Sequence, residues 1–197
     1  MSVIGVLSYQ GGFARHLELL QQLGYTAVPV RSAEALDPVD ALIIPGGEST
    51  TIGMLMERFG LLAAVKRRIA GGLPVFGTCA GLILLAAGIE ASNQPRIGAL
   101  DVTVRRNAYG RQIESFEADA RPTRDQDPSL LQNGPFHGVF IRAPHIVRTG
   151  PEVTTILEFE DRPVLVRQGA LLAATFHPEL SGDDRIHRYF LQDVAGL

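Results

Sequence analysis

The sequence predicts an α/β fold with a central, mostly parallel sheet and helices on both faces. Apolar runs of strand length alternate with helical patterns through the first half of the chain, and this alternation is typical of doubly wound sheets. Glycines such as Gly24 and the pair Gly71-Gly72 end the predicted helices. The 197 residues contain no repeat or low-complexity segment, so we expect a single domain over residues 1–197.

Three strands are predicted before residue 45. Val3–Leu7 is continuously apolar, as a buried strand requires. A helix follows, and its apolar face is formed by Phe13, Leu17 and Leu20. Thr26–Val30 is the second strand, and Pro29 within it favours the edge of the sheet. Ala41–Ile44 is the third, and it leads directly into a loop at residues 45–50.

One long helix is predicted between this loop and Gly71-Gly72. Its apolar face is formed by Ile52, Leu55, Met56, Phe59, Leu62 and Ala63. Residues 73–76 form the next strand, and a turn at residues 77–81 leads into an apolar helix that ends near Gly88.

The second half of the chain has a different pattern of predicted strands. Residues 102–104, 138–141, 154–157 and 163–166 resemble antiparallel or mixed strands, and residues 171–176 form a last buried strand. Ser181 is predicted to cap a final helix that carries Ile186, Tyr189 and Phe190. The segment Asp119–Gly134 is rich in polar and turn residues and predicts a surface loop.

Composition excludes several classes of function. The net charge is −3 and no basic block is present, so charge alone attracts neither nucleic acid nor a membrane. The longest apolar run, residues 82–87, is too short to span a bilayer, and the first residues lack the pattern of a signal peptide. The lone cysteine forms no internal disulfide and suits a reducing, cytoplasmic location. No metal site and no cofactor are predicted.

Cys79 lies in the pattern G-x-C-x-G between an apolar strand and an apolar helix. This is the thiol counterpart of a nucleophile elbow, in which glycines make room for a sharp, strained turn. Such a turn places the sulfur at a helix N-terminus and at the carboxyl edge of the sheet, where thiolate is favoured and ligands bind. The alternative is a small buried hydrophobic residue, the usual fate of a free cysteine.

His177 ends the last predicted strand, so it reaches the same edge of the sheet. Pro178 favours an extended backbone at His177, and residues two apart in an extended segment point the same way. Glu179 can therefore orient the imidazole while the other ring nitrogen faces the thiol. The alternative is a solvated strand end. His16 and His187, which lie beside arginines on helices, are expected to face water.

The loop at residues 45–50 reads P-G-G-E-S-T. It lacks the lysine of a P-loop, which argues against a nucleotide phosphate site. We expect it to complete an oxyanion hole, with the N–H of Ala80 as one donor and the N–H of Gly47 as the other. A tight connection that needs glycine only for turning is the alternative.

Together, P-G-G-E-S-T at 45–50, G-T-C-A-G-L at 77–82 and H-P-E-L at 177–180 resemble the class I, triad-type glutamine amidotransferases. Further stretches narrow the resemblance to the glutaminase subunits of pyridoxal 5′-phosphate synthase, over nearly the whole chain. These stretches are Gly5-Val6-Leu7 with Gln10-Gly11 and His16, residues 106–112 with 115–118, and residues 139–144.

The resemblance implies a flavodoxin-like amidotransferase fold with Cys79 as nucleophile and His177 and Glu179 as its partners. It implies L-glutamine as substrate, and a (β/α)8-barrel synthase subunit, within a large hetero-oligomer, as the partner that uses the ammonia. The glutamine contacts that it implies are Gly47, Glu48, Ser49, Arg106, Ile141 and Arg142. An arginine and a glutamate are sensible partners for the carboxylate and ammonium of glutamine.

Three alternatives remain open at the level of sequence. The chain could serve another amidotransferase pathway, or it could be a cysteine peptidase of related fold. The stretch at residues 106–112 argues against a peptidase, which needs no clamp for a free amino acid. A scaffold subunit without activity is a third alternative, but all three triad residues are present.

Overall fold

The structure is a computed structural model that describes residues 2–106, 115–123 and 134–197. Its strands are β1 (Val3–Leu7), β2 (Thr26–Val30), β3 (Ala41–Ile44), β4 (Val75–Thr78), β5 (Ala86–Ile89), β6 (Leu100–Arg105), β7 (Ser115–Pro122), β8 (Phe136–Ile141), β9 (His145–Thr149), β10 (Thr154–Phe159), β11 (Arg162–Gln168) and β12 (Leu171–Ala174). Its α-helices are α1 (Phe13–Gln22), α2 (Ala33–Leu36), α3 (Ser49–Arg58), α4 (Leu61–Ala70), α5 (Ala80–Leu85) and α6 (Arg185–Tyr189). Pro178–Leu180 forms a 3₁₀ turn, and Phe190–Val194 forms a π-helical turn.

Within the described residues, nine strands form one sheet in the order β2-β1-β3-β4-β12-β11-β10-β7-β8. The pairs from β2 to β12 are parallel, and those from β12 to β8 are antiparallel. The predicted parallel sheet is therefore confirmed, as are the antiparallel or mixed strands of the second half and the edge position of the strand that contains Pro29. A second sheet has the strand order β5-β6-β9.

Successive residues of the central strands face opposite sides of the large sheet. In β3, Leu42 and Ile44 pack in one apolar cluster, and Ala41 and Ile43 pack in another. The first cluster includes apolar residues of α3, α4 and α5, and the second includes Leu20 of α1 and residues of the last helix. Helices therefore cover both faces, as predicted.

The predicted long helix is wrong, because two helices occupy this region. Gly60 has φ of 72°, a left-handed conformation that ends α3 and separates it from α4. Phe59, assigned to the buried face, lies at this break with 56% of its surface exposed. The apolar periodicity continues across the break because both helices bury residues against the same side of the sheet.

Three other expectations fail locally. The helix after the cysteine ends at Leu85 instead of Gly88, and the chain continues as β5, which no pattern predicted. Ser181 does not cap α6; its hydroxyl accepts from the N–H of Asp183 and donates to the carbonyl of Pro178. The segment Asp119–Gly134 was predicted as a loop, but its first four residues belong to strand β7, and residues 124–133 lie outside the described residues.

Among the described residues, no helix is both long and apolar enough to cross a membrane.

Candidate active site

Cys79 stands at the junction of β4 and α5. Its backbone has φ of 48° and ψ of −97°, a conformation that is strained for any residue except glycine. The strain is held by neighbouring structure, since the N–H of Cys79 donates to the carbonyl of Ala174 at 2.9 Å. The predicted nucleophile elbow is therefore present as backbone geometry.

The two glycines of the elbow are needed for space. A Cβ atom on Gly81 would lie 2.0 Å from the carbonyl oxygen of Ile44. A Cβ atom on Gly77 would lie 2.6 Å from the backbone of Gly81. Both contacts are with backbone atoms that cannot move aside, so strand β3, strand β4 and helix α5 approach this closely only with glycine at both positions.

His177 follows β12 and reaches the same edge of the sheet. Its Nδ1 lies 2.8 Å from Oε1 of Glu179, and the Glu179 side chain is only 1% exposed. The predicted contact is formed, but the extended geometry proposed for it is wrong, because Glu179 lies in the 3₁₀ turn that Pro178 begins.

The electrostatics of this pair favour a charged imidazole beside a carboxylate. Burial lowers the pKa of His177, but hydrogen bonds and charge interactions with Cys79 and Glu179 outweigh it and raise that pKa to about 10. Burial raises the pKa of Glu179, but the polar contacts with His16 and His177 outweigh it and hold that pKa well below its ordinary value. A protonated imidazole near a cysteine favours thiolate, the nucleophilic form.

These residues line one cleft of about 310 Å³ at the carboxyl ends of β3, β4 and β12. The thiol of Cys79 points toward the carbonyl oxygen of Ile141, at 3.8 Å. Ala80 is buried just behind the cysteine and does not line the cleft. Every other residue predicted for the site lines it, namely Gly47, Glu48, Ser49, Cys79, Arg106, Ile141, Arg142, His177 and Glu179.

A cysteine elbow and a His-Glu pair at one cleft invite comparison with known hydrolases. The sequence model of the SNO glutamine amidotransferase family matches residues 6–196. The chain belongs to the SNO glutamine amidotransferase family. The pyridoxal 5′-phosphate synthase subunit PdxT of Thermus thermophilus is 53% identical to it, over 99% of this chain and 98% of that protein. The PdxT subunit of Pelotomaculum thermopropionicum is 52% identical, over 96% and 93%.

Solved structures agree with this assignment. The crystal structure of a glutamine amidotransferase aligns with a TM-score of 0.91 at 50% identity and covers all of both chains. The structure of PurLQS from Thermotoga maritima aligns with a TM-score of 0.70 at 15% identity, over 99% of this chain and 98% of that one, and shows likeness of fold alone. The fold is the flavodoxin-like fold of class I glutamine amidotransferases.

One wall of the amidotransferase cleft is a polar network. The carboxylate of Glu48 caps α3, accepting from the N–H groups of Thr50 at 3.1 Å and Thr51 at 2.7 Å. Burial raises the pKa of Glu48, but hydrogen bonds from the hydroxyl and the N–H of Thr51, together with those from Thr50, outweigh it and lower that pKa to about 2. Arg106 lies 3.5 Å from the same carboxylate. The two residues predicted to bind opposite ends of glutamine therefore contact each other.

Gln94 belongs to this network and was missed by the sequence analysis. Its Oε1 accepts from Arg106 at 2.8 Å, and from the hydroxyls of Ser49 at 3.3 Å and Thr50 at 3.2 Å. It thereby orients Arg106 toward the cleft and the start of α3. No pattern marks Gln94 in the sequence, because it lies in a connection and its partners are 12 to 45 residues away.

The expectation that His16 and His187 face water is wrong. Both side chains are completely buried, and Nε2 of His16 lies 3.3 Å from Oε2 of Glu179. Helical spacing contained the signal for His16, which lies on the face formed by Phe13, Leu17 and Leu20. His187 is likewise three residues before the buried Phe190.

Among the described residues, no group of three acidic, histidine or cysteine side chains is placed to hold a metal ion.

Proposed function

We propose that this chain is the glutaminase subunit of a pyridoxal 5′-phosphate synthase, and that it hydrolyses L-glutamine to L-glutamate and ammonia. The observation that carries the proposal is the strained Cys79 elbow in one cleft with a His177-Glu179 pair joined at 2.8 Å. Relatives that are about half identical over nearly their whole length are named as PdxT subunits of that synthase, which supports the pathway.

In the proposed reaction, the thiolate of Cys79 attacks the side-chain amide carbon of glutamine. The carbonyl electrons move to oxygen, and the N–H groups of Ala80 and Gly47 stabilise the oxyanion. His177 donates its proton to the amide nitrogen, which leaves as ammonia when the intermediate collapses to a thioester.

Hydrolysis of the thioester regenerates the enzyme. His177, now neutral, accepts a proton from water as the water attacks the thioester carbonyl. The second tetrahedral intermediate expels the thiolate and releases glutamate. Throughout, Glu179 holds Nδ1 of His177, which keeps Nε2 available to the reacting atoms.

The proposed glutamine clamp consists of cleft residues on three segments. Arg106 and Arg142 supply positive charge for the α-carboxylate, and Glu48 supplies negative charge for the α-ammonium. Gly47, Ser49 and Ile141 complete the walls. Because Glu48 already contacts Arg106, glutamine is expected to insert its own charged groups between or beside them.

The proposed partner is a (β/α)8-barrel synthase subunit that receives the ammonia, within a large cytoplasmic hetero-oligomer. Leu180 at the cleft is 43% exposed, and Gly11 and Gly47 beside it are also exposed, so the mouth offers a surface for docking. The single domain proposed for the chain needs no cofactor of its own.

The decisive experiment measures ammonia release from glutamine with and without the synthase subunit. Release that depends on Cys79, together with glutamine-dependent pyridoxal phosphate formation by the mixture, is the expected result. Glutamine hydrolysis without any transfer to that synthase would point to another amidotransferase pathway, and hydrolysis of peptides instead of glutamine would overturn the proposal.

A further inference from the structure

A buried pair of histidines lies directly behind Glu179. Nδ1 of His16, on α1, lies 3.0 Å from Nε2 of His187, on α6. Nε2 of His16 lies 3.3 Å from Oε2 of Glu179 and 3.5 Å from the hydroxyl of Thr78. Neither imidazole is exposed to solvent. Together with the contact between Glu179 and His177, these distances form a continuous chain from α6 to the cleft.

The protons on this chain can be assigned from the partners of each nitrogen. Burial, and next the proximity of His16, lower the pKa of His187 to about 3, although the charge of Glu179 acts in the opposite direction. The His187 ring is therefore neutral and carries one proton. Its Nδ1 is buried with no partner among the described residues. A buried N–H without an acceptor is costly. The proton therefore lies on Nε2 and is donated to Nδ1 of His16.

This assignment fixes the tautomer of His16. Since its Nδ1 accepts from His187, its own proton lies on Nε2, which faces Glu179 and Thr78. Nε2 of His16 lies within ion-pair distance of Oε2 of Glu179, at 3.3 Å, and the hydroxyl of Thr78 lies 3.5 Å from the same nitrogen. The N–H donors of His187 and His16 thus both point toward the carboxylate of Glu179.

We propose that His16 is a positioning residue for the catalytic triad, and that His187 fixes the tautomer in which His16 can do this. Oε1 of Glu179 accepts from His177 and Oε2 lies 3.3 Å from Nε2 of His16, so rotation of the carboxylate away from the His177 imidazole would lose both contacts. Gly12 packs against another side of the Glu179 carboxylate, because a Cβ atom on Gly12 would lie 3.1 Å from Oε1. The inference rests on the proposed role of Glu179 in the triad.

A pair of amide substitutions separates positioning from packing. In His16→Gln the amide nitrogen reaches the place of Nε2 and can still donate to Glu179. In His16→Asn the shorter amide reaches only the place of Nδ1. We expect His16→Asn to lower kcat about tenfold, as for a lost polar contact with a charged group. KM should stay within about twofold, and His16→Gln should recover most of the rate. His137→Asn, on the exposed face of β8, is the matched control and should leave kcat unchanged.

The stronger test is a double-mutant cycle with Glu179→Gln, measured on the full chain saturated with its synthase partner. If His16 acts through Glu179, then His16→Asn has almost no further effect in the Glu179→Gln background. Equal losses in both backgrounds, or a kcat for His16→Asn equal to that of the unmodified chain, would overturn the inference. Full activity of Glu179→Gln alone would instead refute the proposed triad.

Circular dichroism and melting curves accompany each variant. Should His16→Asn fail to fold, His187→Leu takes its place in the cycle, because it removes the donor to Nδ1 and leaves His16 present. The expected loss in kcat is then about threefold, as for one neutral hydrogen bond. An unchanged kcat in His187→Leu would overturn the inference in that case.

Discussion

A Cβ atom on Gly46 would lie 2.3 Å from Cε1 of His177. The backbone of Gly46 does not have a positive φ, so glycine is needed here for space and not for conformation. The loop after β3 therefore forms one wall of the pocket for the imidazole, and Glu179 holds the ring from its Nδ1 side.

Gly46→Ala should displace the imidazole and lower kcat about 100-fold, since a shift of roughly 1 Å at a catalytic group has effects of that order. Gly71→Ala is the matched control, because a Cβ atom there would meet its nearest neighbour at 3.4 Å and the position is remote from the cleft. Steady-state glutaminase assays measure both. Comparable activity in the two variants would show that the ring is not held by this contact.

Cys79→Ser should lose nearly all glutaminase activity and still bind glutamine, because the cleft keeps its shape while the nucleophile becomes much weaker. An electrophilic glutamine analogue should add one label per chain. Since the sequence contains a single cysteine, intact mass and peptide mapping locate the label without ambiguity. A label on another residue, or substantial turnover by Cys79→Ala, would contradict the assignment.

His177→Ala should lower kcat by several orders of magnitude, because it removes the general base and acid. Glu179→Gln should lower kcat less, since it changes the charge and tautomer control but leaves the imidazole in place. Both kcat values are measured at saturating glutamine. If Glu179→Gln proved the more damaging change, the two roles would have to be exchanged.

Much of the site could be predicted because its signals are local. The elbow at Cys79, the loop at Gly46-Gly47 and the turn at His177 each follow an apolar strand, and parallel strands bring their carboxyl ends together. The break at Gly60 was missed because an isolated glycine in a periodic apolar pattern does not decide between one helix and two.

The buried histidines could not be assigned from sequence in the same way. The partner of His16 on one side is Glu179, and on the other it is His187, 171 residues away. A histidine beside an arginine on a helix is usually solvated, and only tertiary contacts reverse that expectation. The contact between Glu48 and Arg106 is also long-range, because the two residues are 58 positions apart in the sequence.

Arg142→Ala should raise the KM for glutamine about 10- to 100-fold with little change in kcat, because it removes a charge-assisted contact to the substrate. Arg148→Ala is the control, since Arg148 pairs with Asp101 and does not line the cleft. An unchanged KM in Arg142→Ala would remove this residue from the clamp.

Glu48→Ala should raise KM by a similar factor and also destabilise the fold by about 1 kcal/mol, because its carboxylate caps α3. Melting curves separate the second effect from the first. If the loss of stability were found without any change in KM, Glu48 would be a helix cap only. Unchanged KM in both Glu48→Ala and Arg142→Ala would favour the peptidase alternative.

Activity is expected to be gated by the synthase subunit, because hydrolysis without an acceptor wastes glutamine. The peptide between Gly46 and Gly47 is the proposed gate. Its carbonyl accepts from the N–H of Gly12 at 3.2 Å, and in a trans peptide the N–H of Gly47 points the opposite way. Turning that N–H through a large angle requires the bond to Gly12 to break, which a partner docking beside Gln10 and Gly11 can bring about.

The measurement is the turnover number for glutamine as the synthase subunit is titrated into a fixed amount of this chain. One missing oxyanion donor lowers the rate by about 10²- to 10³-fold, so completion of the hole should raise kcat at least about tenfold, with saturation at the stoichiometry of the complex. Gly47→Ala should reduce this activation, because a Cβ atom at that position would lie 3.0 Å from Ile52 and restrict rotation of the peptide. A flat titration in spite of complex formation, shown by sedimentation, would rule the gate out.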